Sequence, residues 1–361
     1  MKKRRMEERK MKNFKKLLCV LLAVCLLIPF ASCKKEEAKT DDTTAAPTTE
    51  PTTVAQPEPA NINPLTGIAD LDEAVIGKRP LAIMVENHPD ARPQWGLNTP
   101  DIVVEGLVEG GITRMMWIYS DVSKVEKIGP CRSSRINYIE VAEAFDAIYA
   151  HFGGSPTAYS MMNGDSSIDH IDFNFSDGKF ERDQSRNVAI EHRATTKGEW
   201  INDAIAKKGF RTDIDEEYAK PFVFSKTKLE LPGGKCEEVK AVFSTGYAHT
   251  FKYNADDGLY YNYMNSNPMK DGVTDEQMSV SNVLILSCNV TTFDYKYAQW
   301  NLTSGTGYYI SNGTYQEINW KKGDGKVHDR FEFTDADGNE LKFNTGKFWI
   351  GFVPNGNTTV S

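Results

Sequence analysis

The pattern of hydrophobic and polar positions divides the chain into two parts. In the first part, apolar runs rich in β-branched residues alternate with segments of helical character. The runs predict strands at 81–87, 101–109, 112–120 and 146–152. Helices are predicted at 133–145 from apolar spacing, at 153–162 from the Ser155-Pro156 start, and at 195–209 from the Gly209 end. This alternation predicts an α/β domain.

The second part contains strand and turn signals alone. Its predicted strands lie at 221–225, 238–244, 248–254, 258–264, 281–290, 307–311, 328–334 and 347–353. Turn pairs such as Asn312-Gly313 and Asp337-Gly338 separate several of them. The pattern predicts a β-rich domain, either a sandwich or a partly open barrel.

Arginine usage changes at the same place as the hydrophobic pattern. Of ten arginines beyond the N-terminal segment, nine precede residue 215 and only Arg330 follows it. Arginine is a planar donor fork suited to phosphate and carboxylate groups. The predicted fold is therefore an α/β N-terminal domain at 61–215, which carries the candidate chemistry, followed by a β-rich C-terminal domain at 216–361.

The first 33 residues have the pattern of an export signal. A strongly basic start precedes an apolar run at 17–30, which is short for a permanent membrane helix. Small residues then precede Cys33, as in a bacterial lipobox, so Cys33 is the predicted lipidation site and the predicted membrane anchor. An ordinary secretory signal cut nearby is the alternative, and Met11 is an alternative start.

Residues 34–60 are rich in Thr, Pro, Ala and Glu and almost free of apolar residues. This composition predicts a disordered tether. Without the nine basic and two acidic residues of the signal, the chain carries 33 basic and 48 acidic residues. This acidity argues against nucleic acid as a partner. Together, the export signal, the lipidation site at Cys33 and the tether predict that the chain lies outside the cytoplasm and is anchored to the membrane.

Cysteines and acidic loops predict no metal site. Cys131, Cys236 and Cys288 are far apart and form no CxxC pair, so they are expected to be small buried hydrophobic residues. The loop at 335–340 places Gly338 wrongly for a calcium loop and predicts a hairpin turn. A thiolate at Cys131, activated by neighbouring arginines, remains the alternative.

The stretch IGPCRSSR, residues 128–135, is the strongest candidate for a binding site. Its Gly-Pro turn precedes a predicted helix, so Arg132 and Arg135 would lie at a helix N-terminus, where cations are unfavourable unless an anion lies between them. The alternative is that these arginines pair with carboxylates such as Glu105 and Glu109.

A second strand-to-helix turn, HFGGSP at 151–156, would face the same pocket if the two elements are neighbours. The predicted ligand-binding residues are Arg92, Arg114, Arg132, Arg135, His151, Gly153, Gly154 and Ser155. Additional candidates are His88, Arg182, Arg186 and His192. Ordinary turns and surface loops are the alternative for each. No spacing identifies a catalytic base, so the catalytic residues are unknown.

Several motifs resemble the YerB-like family of Gram-positive lipoproteins, a two-part domain of unknown function. They include NPLTG at 63–67, RPLAIMVENHPDARPQWGL at 79–97, IGPCRSSR, HFGGSP and FWIGFVP at 348–354. The resemblance covers nearly everything after the tether and implies a lipid-anchored, two-module protein of unassigned biochemistry. Members of that family tend to have Pro-His-Asn where this chain has Glu191-His192-Arg193.

A shorter stretch, ITRMMWIYSD at 112–121, is similar to the LytR-CpsA-Psr phosphotransferases of the cell wall. That resemblance implies arginines such as Arg114, Arg132 and Arg135 clamping a lipid pyrophosphate, with magnesium held by acids such as Asp121. The expected function is binding of an anionic envelope ligand (a wall polymer, a lipid-linked precursor or an envelope protein) without a cofactor. The alternatives are a phosphotransferase that uses magnesium and a scaffold for an envelope protein complex.

Overall fold

The computed structural model of the chain describes residues 59–294 and 296–361. The predicted signal peptide, the lipidation site Cys33 and all but the last two residues of the predicted tether lie outside this range. The described residues belong to one compact unit, Pro57–Ser361. Its α-helices are α1 (Ile136–Glu143), α2 (Pro156–Gly164) and α3 (Gly198–Lys208).

Strands make up most of the fold. In the first part of the chain they are β1 (Leu81–Glu86), β2 (Ile102–Leu107), β3 (Thr113–Tyr119), β4 (Ile148–His151), β5 (His170–Asp172), β6 (Glu181–Arg182) and β7 (Ala194–Thr195). In the second part they are β8 (Val223–Phe224), β9 (Glu238–Ser244), β10 (Tyr247–Asn254), β11 (Leu259–Met264), β12 (Asn267–Pro268), β13 (Ser279–Val280), β14 (Asn282–Cys288), β15 (Val290–Phe293), β16 (Tyr297–Trp300), β17 (Ser304–Ser311), β18 (Thr314–Lys322), β19 (Phe331–Thr334), β20 (Lys342–Phe343), β21 (Phe348–Pro354) and β22 (Thr358–Val360).

A mixed ten-stranded sheet runs through both parts of the chain in the order β19-β18-β17-β14-β21-β2-β3-β1-β4-β5. Strand β21, near the C-terminus, is parallel to both neighbours and joins the two parts: Trp349 is opposite Val103 on β2 and Val283 on β14. A second sheet has the order β12-β11-β10-β9-β22, with β13 pairing with β11. Three two-stranded ribbons complete the fold.

Both faces of the large sheet are buried at its central strands β1, β2, β3, β14 and β21, which explains the near-continuous apolar runs in these strands. Successive residues of β1 face opposite sides of the sheet, so Met84 packs in one hydrophobic core and Ile83 in another. One core packs against α1 and α2 around Tyr138. The other packs against α3 and the second sheet around Trp117 and Trp349.

The predicted fold class is confirmed. All three described α-helices precede residue 215, and the described residues after 215 form strands, turns and one short 3₁₀ helix, Glu216–Tyr218. Asn312 and Gly313 form the hairpin turn between β17 and β18, both with positive φ, as the Asn-Gly signal predicts. The prediction of a separate sandwich or barrel is wrong, because β14, β17–β19 and β21 extend the N-terminal sheet.

The helix predicted at 133–145 is shorter than expected. It begins at Ile136, with Arg135 at the N-cap position and no side-chain cap. Ser134 precedes the N-cap position and does not cap the helix: its hydroxyl accepts from the Tyr149 hydroxyl (3.0 Å), and its backbone N–H donates to the Gly153 carbonyl oxygen (2.8 Å). Serines 133 and 134 therefore belong to an extended segment rather than to a helix start. The cap predicted at Ser155 is confirmed, since its hydroxyl accepts from the Ala158 N–H.

No helix among the described residues has the length and apolar character needed to cross a bilayer.

Candidate functional site

The stretch at 128–135 fills the space where two parallel strands diverge. Strands β1 and β4 pair from Leu81 to Ile83, and beyond that point the stretch lies between them. The Arg132 N–H donates to the Met84 carbonyl oxygen (3.0 Å), and the Arg132 carbonyl accepts from the Phe152 N–H (3.0 Å). Ligands of α/β sheets bind outside the carboxyl ends of the strands at such a divergence. Here the chain itself occupies that position and presents the Arg132 side chain there.

A buried carboxylate at the end of β1 connects a cation and a histidine. Nδ1 of His192 donates to Oε2 of Glu86 (2.9 Å), and Nε of Arg132 lies 3.0 Å from Oε1 of the same residue. Glu86 is 3% exposed. The Arg132 contact is an ion pair by distance, but its N–H is not directed at the carboxylate, so Nε is a buried donor without a hydrogen-bond acceptor among the described residues.

Two further arginines lie beside Arg132. The Cys131 N–H donates to the Ala194 carbonyl oxygen (2.6 Å), which places Arg132 and Arg193 at adjacent positions on neighbouring extended segments. Arg193 also has a buried Nε without an acceptor among the described residues. Arg182 stacks its guanidinium on the ring of Phe152 (4.6 Å). We call Arg132, Arg182 and Arg193 the arginine face.

The charges of the arginine face repel one another. The pKa of Arg182 is lowered, mainly by burial and then by the charges of Arg132 and Arg193, while Glu191 acts in the opposite direction. Glu86 pairs with Arg132, and Glu191 is close enough to Arg132 and Arg182 for their charges to help lower its pKa, so two carboxylates accompany the three cations. The arginine face therefore has a net positive charge within an acidic protein.

Arg114 and Arg135 share a carboxylate of their own. Nε of Arg135 donates to Oε1 of Glu109 (2.6 Å), and Nη2 of Arg114 lies 3.9 Å from the other oxygen. Arg114 is buried and also donates to the Ser133 carbonyl oxygen (2.6 Å). Burial, followed by the charge of Arg135, lowers the pKa of Arg114 to about 10. These two arginines thus have an internal counterion, whereas Glu105 pairs with His249 instead (3.0 Å).

The residues of the HFGGSP turn already have partners within the fold. Nδ1 of the fully buried His151 donates to the Gly153 carbonyl oxygen (2.8 Å), and its Nε2 lies 3.1 Å from Nδ1 of His170. The Gly153 N–H donates to Asp172 (2.8 Å), and Gly154 pairs with Ser134 through a β-bridge. Burial lowers the pKa of His151 to about 4. With Ser155 capping α2, this turn holds the backbone around the site.

Comparison with known proteins agrees with this architecture. Residues 65–211 match the family described as protein of unknown function (DUF3048) N-terminal domain, and residues 239–350 match the corresponding C-terminal domain. The chain belongs to the DUF3048 family. It is 29% identical over 296 residues to the Bacillus subtilis (strain 168) protein YerB, which its name describes as a candidate lipoprotein, covering 81% of this chain and 86% of that one.

A solved structure supports the same relationship. The crystal structure of the YerB protein from Bacillus subtilis superimposes with a TM-score of 0.71 at 27% identity, covering 83% of this chain and 99% of that chain. The predicted YerB-like family is therefore confirmed. The protein is a homologue of a candidate lipoprotein of unknown function, which agrees with the membrane-anchored, extracytoplasmic location that the signal sequence predicts.

The remaining predicted residues lie around the edge of the arginine face or beyond it. Arg186 donates to the Ala91 carbonyl oxygen (3.1 Å) and stacks on Trp95 (3.6 Å). Arg92 contacts Sδ of Met264 (3.0 Å) and stacks on Tyr247 (5.7 Å). Both are therefore engaged in packing loops together. His88 lies stacked on His192, with ring centroids 4.8 Å apart.

Two chemical alternatives from the sequence do not agree with the geometry. Cys131 is buried, and burial raises the pKa of its thiol to about 12, which is the opposite of an activated nucleophile. Arg114 is at the beginning of β3 and Asp121 follows its end, about 20 Å away at roughly 3.3 Å per residue. These two residues cannot hold one pyrophosphate and its metal together.

Sequence reasoning missed Glu86 and Asp90 and gave no special place to Arg193. Glu86 ends an apolar strand, and a carboxylate there is indistinguishable by pattern from a solvated residue. A weaker signal did exist in the five apolar residues that precede Glu86, since such a run is typical of a strand buried on both faces, where a charge needs a partner. A cleft of about 660 Å³ lies elsewhere, between strands β17 and β18 and the loop at Asn355, lined by groups such as Tyr308 and Asn319.

Proposed function

We propose that the protein is an extracytoplasmic lipoprotein, held at the membrane by a lipid on Cys33, that binds a phosphate-bearing envelope ligand on its arginine face. The observation that carries this proposal is the pair of buried Nε donors on Arg132 and Arg193 that lack acceptors among the described residues. A buried donor without an acceptor destabilises a fold by about 1–3 kcal/mol. A bound oxygen acceptor removes that penalty.

The chemistry of the ligand follows from the side chains. Guanidinium groups donate two parallel hydrogen bonds to phosphate or carboxylate, and such charge-assisted bonds are stronger than neutral ones. Arg132 is fixed in place by Glu86 and by backbone contacts on both sides, so little side-chain entropy is lost on binding. Wall polymers and lipid-linked precursors share the phosphate group, and the carboxylates of an acidic protein segment would compete for the same fork.

The test is isothermal titration of the Pro57–Ser361 unit with sodium pyrophosphate in a chelating buffer. Arg132→Lys and Arg193→Lys keep the charges and remove the forks. Each replacement should lower the affinity about 10- to 150-fold, since one charge-assisted hydrogen bond contributes roughly 1.5–3 kcal/mol. Arg330→Lys, the same change on the one arginine of the β-rich part, is the matched control and should leave the affinity unchanged.

Two further ligands separate the sources of phosphate. A glycerol phosphate oligomer represents wall polymers, and undecaprenyl pyrophosphate in detergent represents lipid-linked precursors. Stronger binding of one of them identifies the natural class. Absence of binding by all three ligands, or equal affinity in the wild type and both arginine variants, would contradict the proposal.

A further inference from the structure

The loop after β1 and the turn at 190–192 bring two histidines and an aspartate together. The rings of His88 and His192 are stacked, 9° from parallel. Oδ2 of Asp90 lies 3.7 Å from Nδ1 of His88 and 4.0 Å from Nε2 of His192. One ligand atom from each residue lies within 4.8 Å of the others. Among the described residues, no other group of three His, Cys, Asp or Glu side chains meets this criterion.

The hydrogen bond between His192 and Glu86 determines which ring nitrogen is available. Nδ1 carries the proton that it donates to Glu86, so the lone pair of the neutral ring is on Nε2, the atom that faces Asp90. Histidines that ligate metals almost always donate their other ring N–H to a carboxylate or carbonyl oxygen. Glu86 is buried and fixed, so it orients the ring as such a partner does.

We propose that His88, Asp90 and His192 form a binding site for a divalent transition metal of the zinc class, with Glu86 as the positioning residue of His192. Imidazole and carboxylate suit Zn²⁺ and its neighbours, whereas Mg²⁺ and Ca²⁺ prefer all-oxygen sites. In a tetrahedral zinc site with bonds of about 2.0–2.1 Å, ligand atoms lie roughly 3.4 Å apart. The three ligand atoms lie within 4.8 Å of one another, so they need to close by up to about 1.4 Å, and one ring of the stacked pair must turn so that both lone pairs meet the metal.

The surroundings fit an open metal centre. His192 is buried, His88 is half-buried and Asp90 is exposed, so one side of the cluster faces solvent. Three protein ligands leave a fourth position for water or an oxygen of a ligand, as in catalytic zinc sites. Cations border the cluster, among them Arg132 and Arg92. Arg132 is neutralised by Glu86, and Arg92 directs its guanidinium at Met264 and Tyr247.

One existing contact must be replaced on binding. Nδ1 of His88 accepts a 3.2 Å hydrogen bond from the Asp90 N–H. Coordination through this nitrogen breaks that bond, while coordination through Nε2 needs a rotation of the ring. The proposal does not depend on the anion function, because the metal ligands and the arginine face are different residues that meet only at Glu86.

The test uses the tag-free Pro57–Ser361 unit after removal of metal by chelation. Titration with ZnCl₂ should show one site per chain, and Co²⁺ should give the visible absorption of a low-coordinate site. His88→Ala and Asp90→Ala change partly or fully exposed loop residues, and each should weaken Zn²⁺ binding at least 10-fold. Glu86→Gln should weaken it about 10- to 100-fold, the range for outer-shell partners.

The matched control is His328→Ala. His328 also lies between two carboxylates, but its Nδ1 meets Glu143 (2.8 Å) and its Nε2 meets Asp165 (2.9 Å) on opposite sides of the ring, so no common metal position exists. This variant should bind Zn²⁺ as the wild type does. Absence of Zn²⁺ binding by the wild type, or equal binding by the His88 and Asp90 variants, would overturn the proposal. Because the anion titration is done in chelator, failure of one proposal leaves the other separately measurable.

Discussion

The fully buried pair formed by Glu105 and His249 joins the two sheets, and its disruption should destabilise the whole unit. Glu105 is on β2 and His249 is on β10, and both are 0% exposed. Glu105 also accepts from Asn87 (2.9 Å), Thr113 (2.5 Å) and Trp349 (3.3 Å). The His249 ring lies between two side-chain oxygens, with Nε2 3.0 Å from Oε1 of Glu105 and Nδ1 2.9 Å from Oδ1 of Asn262.

The expected cost follows from the charge that is left behind. Burial raises the pKa of Glu105, but His249 and the hydrogen bonds more than offset this effect, so the folded state favours the carboxylate. His249→Leu keeps a similar volume and leaves that carboxylate buried without its histidine partner, which should destabilise the unit by about 3–5 kcal/mol. Glu105→Gln in addition removes the charge, so the double variant should be at least about 1 kcal/mol more stable than His249→Leu alone.

Urea unfolding of the Pro57–Ser361 unit, followed by tryptophan fluorescence, measures this difference. With an m value of about 3 kcal/mol/M, a loss of about 4 kcal/mol lowers the midpoint by about 1.3 M. His328→Leu, at a half-exposed histidine, is the control and should have a much smaller effect. Two results would refute the account that the buried Glu105–His249 pair holds the two sheets together. One is a loss of unfolding free energy below about 1 kcal/mol in His249→Leu, and the other is additive losses in the double variant.

Three further predictions concern other parts of the fold. Burial raises the pKa of Glu143 to about 7, so the folded state binds a proton more tightly than the unfolded state. The stability that this group contributes is therefore present below about pH 4.5 and is lost as the pH rises through 7. The urea midpoint of the wild type should be higher at pH 5 than at pH 8, and Glu143→Gln should make this difference smaller. The thiols of Cys131, Cys236 and Cys288 are buried, and burial raises their pKa values to about 12, 11 and 12. A thiol-reactive dye at pH 8 should therefore label none of them in the native unit and all three in urea. Rapid labelling of Cys131 in the native unit would restore the nucleophile alternative. Gly106→Ala would place a Cβ 2.0 Å from the Trp300 ring, so it should destabilise the unit by about 1–3 kcal/mol in the same urea assay, and a neutral result would show that Trp300 is not held between β2 and α1.

Much of the fold could be predicted because strand patterning in this chain is strong. The bounds of β9 were predicted to the residue, and the ends of β11 and β21 to within one. The pairing of β21 with β2 could not be predicted, since a parallel contact between residues so distant in the chain leaves no local signal. Both faces of β2 are apolar, which fits equally well a sheet formed by the first part of the chain alone and a sheet shared by both parts.

The site was harder to predict than the fold. IGPCRSSR was recognisable as a concentration of charge, and Arg135 does lie at a helix N-terminus, but the helix begins later than predicted because residues 132–134 form backbone hydrogen bonds with Met84, Phe152 and Gly153. The proximity of Arg114 to Glu109 depends on the turn at 109–111, whose glycines have positive φ values of 63° and 74°. The cluster of His88, Asp90 and His192 combines a loop with a distant turn, so single-sequence spacing could not indicate it.

The most direct measurement of the central claim is a crystal structure of the Pro57–Ser361 unit grown with tungstate, a phosphate analogue located by its anomalous signal. The account predicts a peak within hydrogen-bond distance of Arg132 and Arg193, and loss of that peak in Arg132→Lys, while the fold and the Glu86 contact are retained. A peak elsewhere that is unaffected by this variant, or no peak at a concentration that saturates binding in solution, would contradict the arginine face as the anion site.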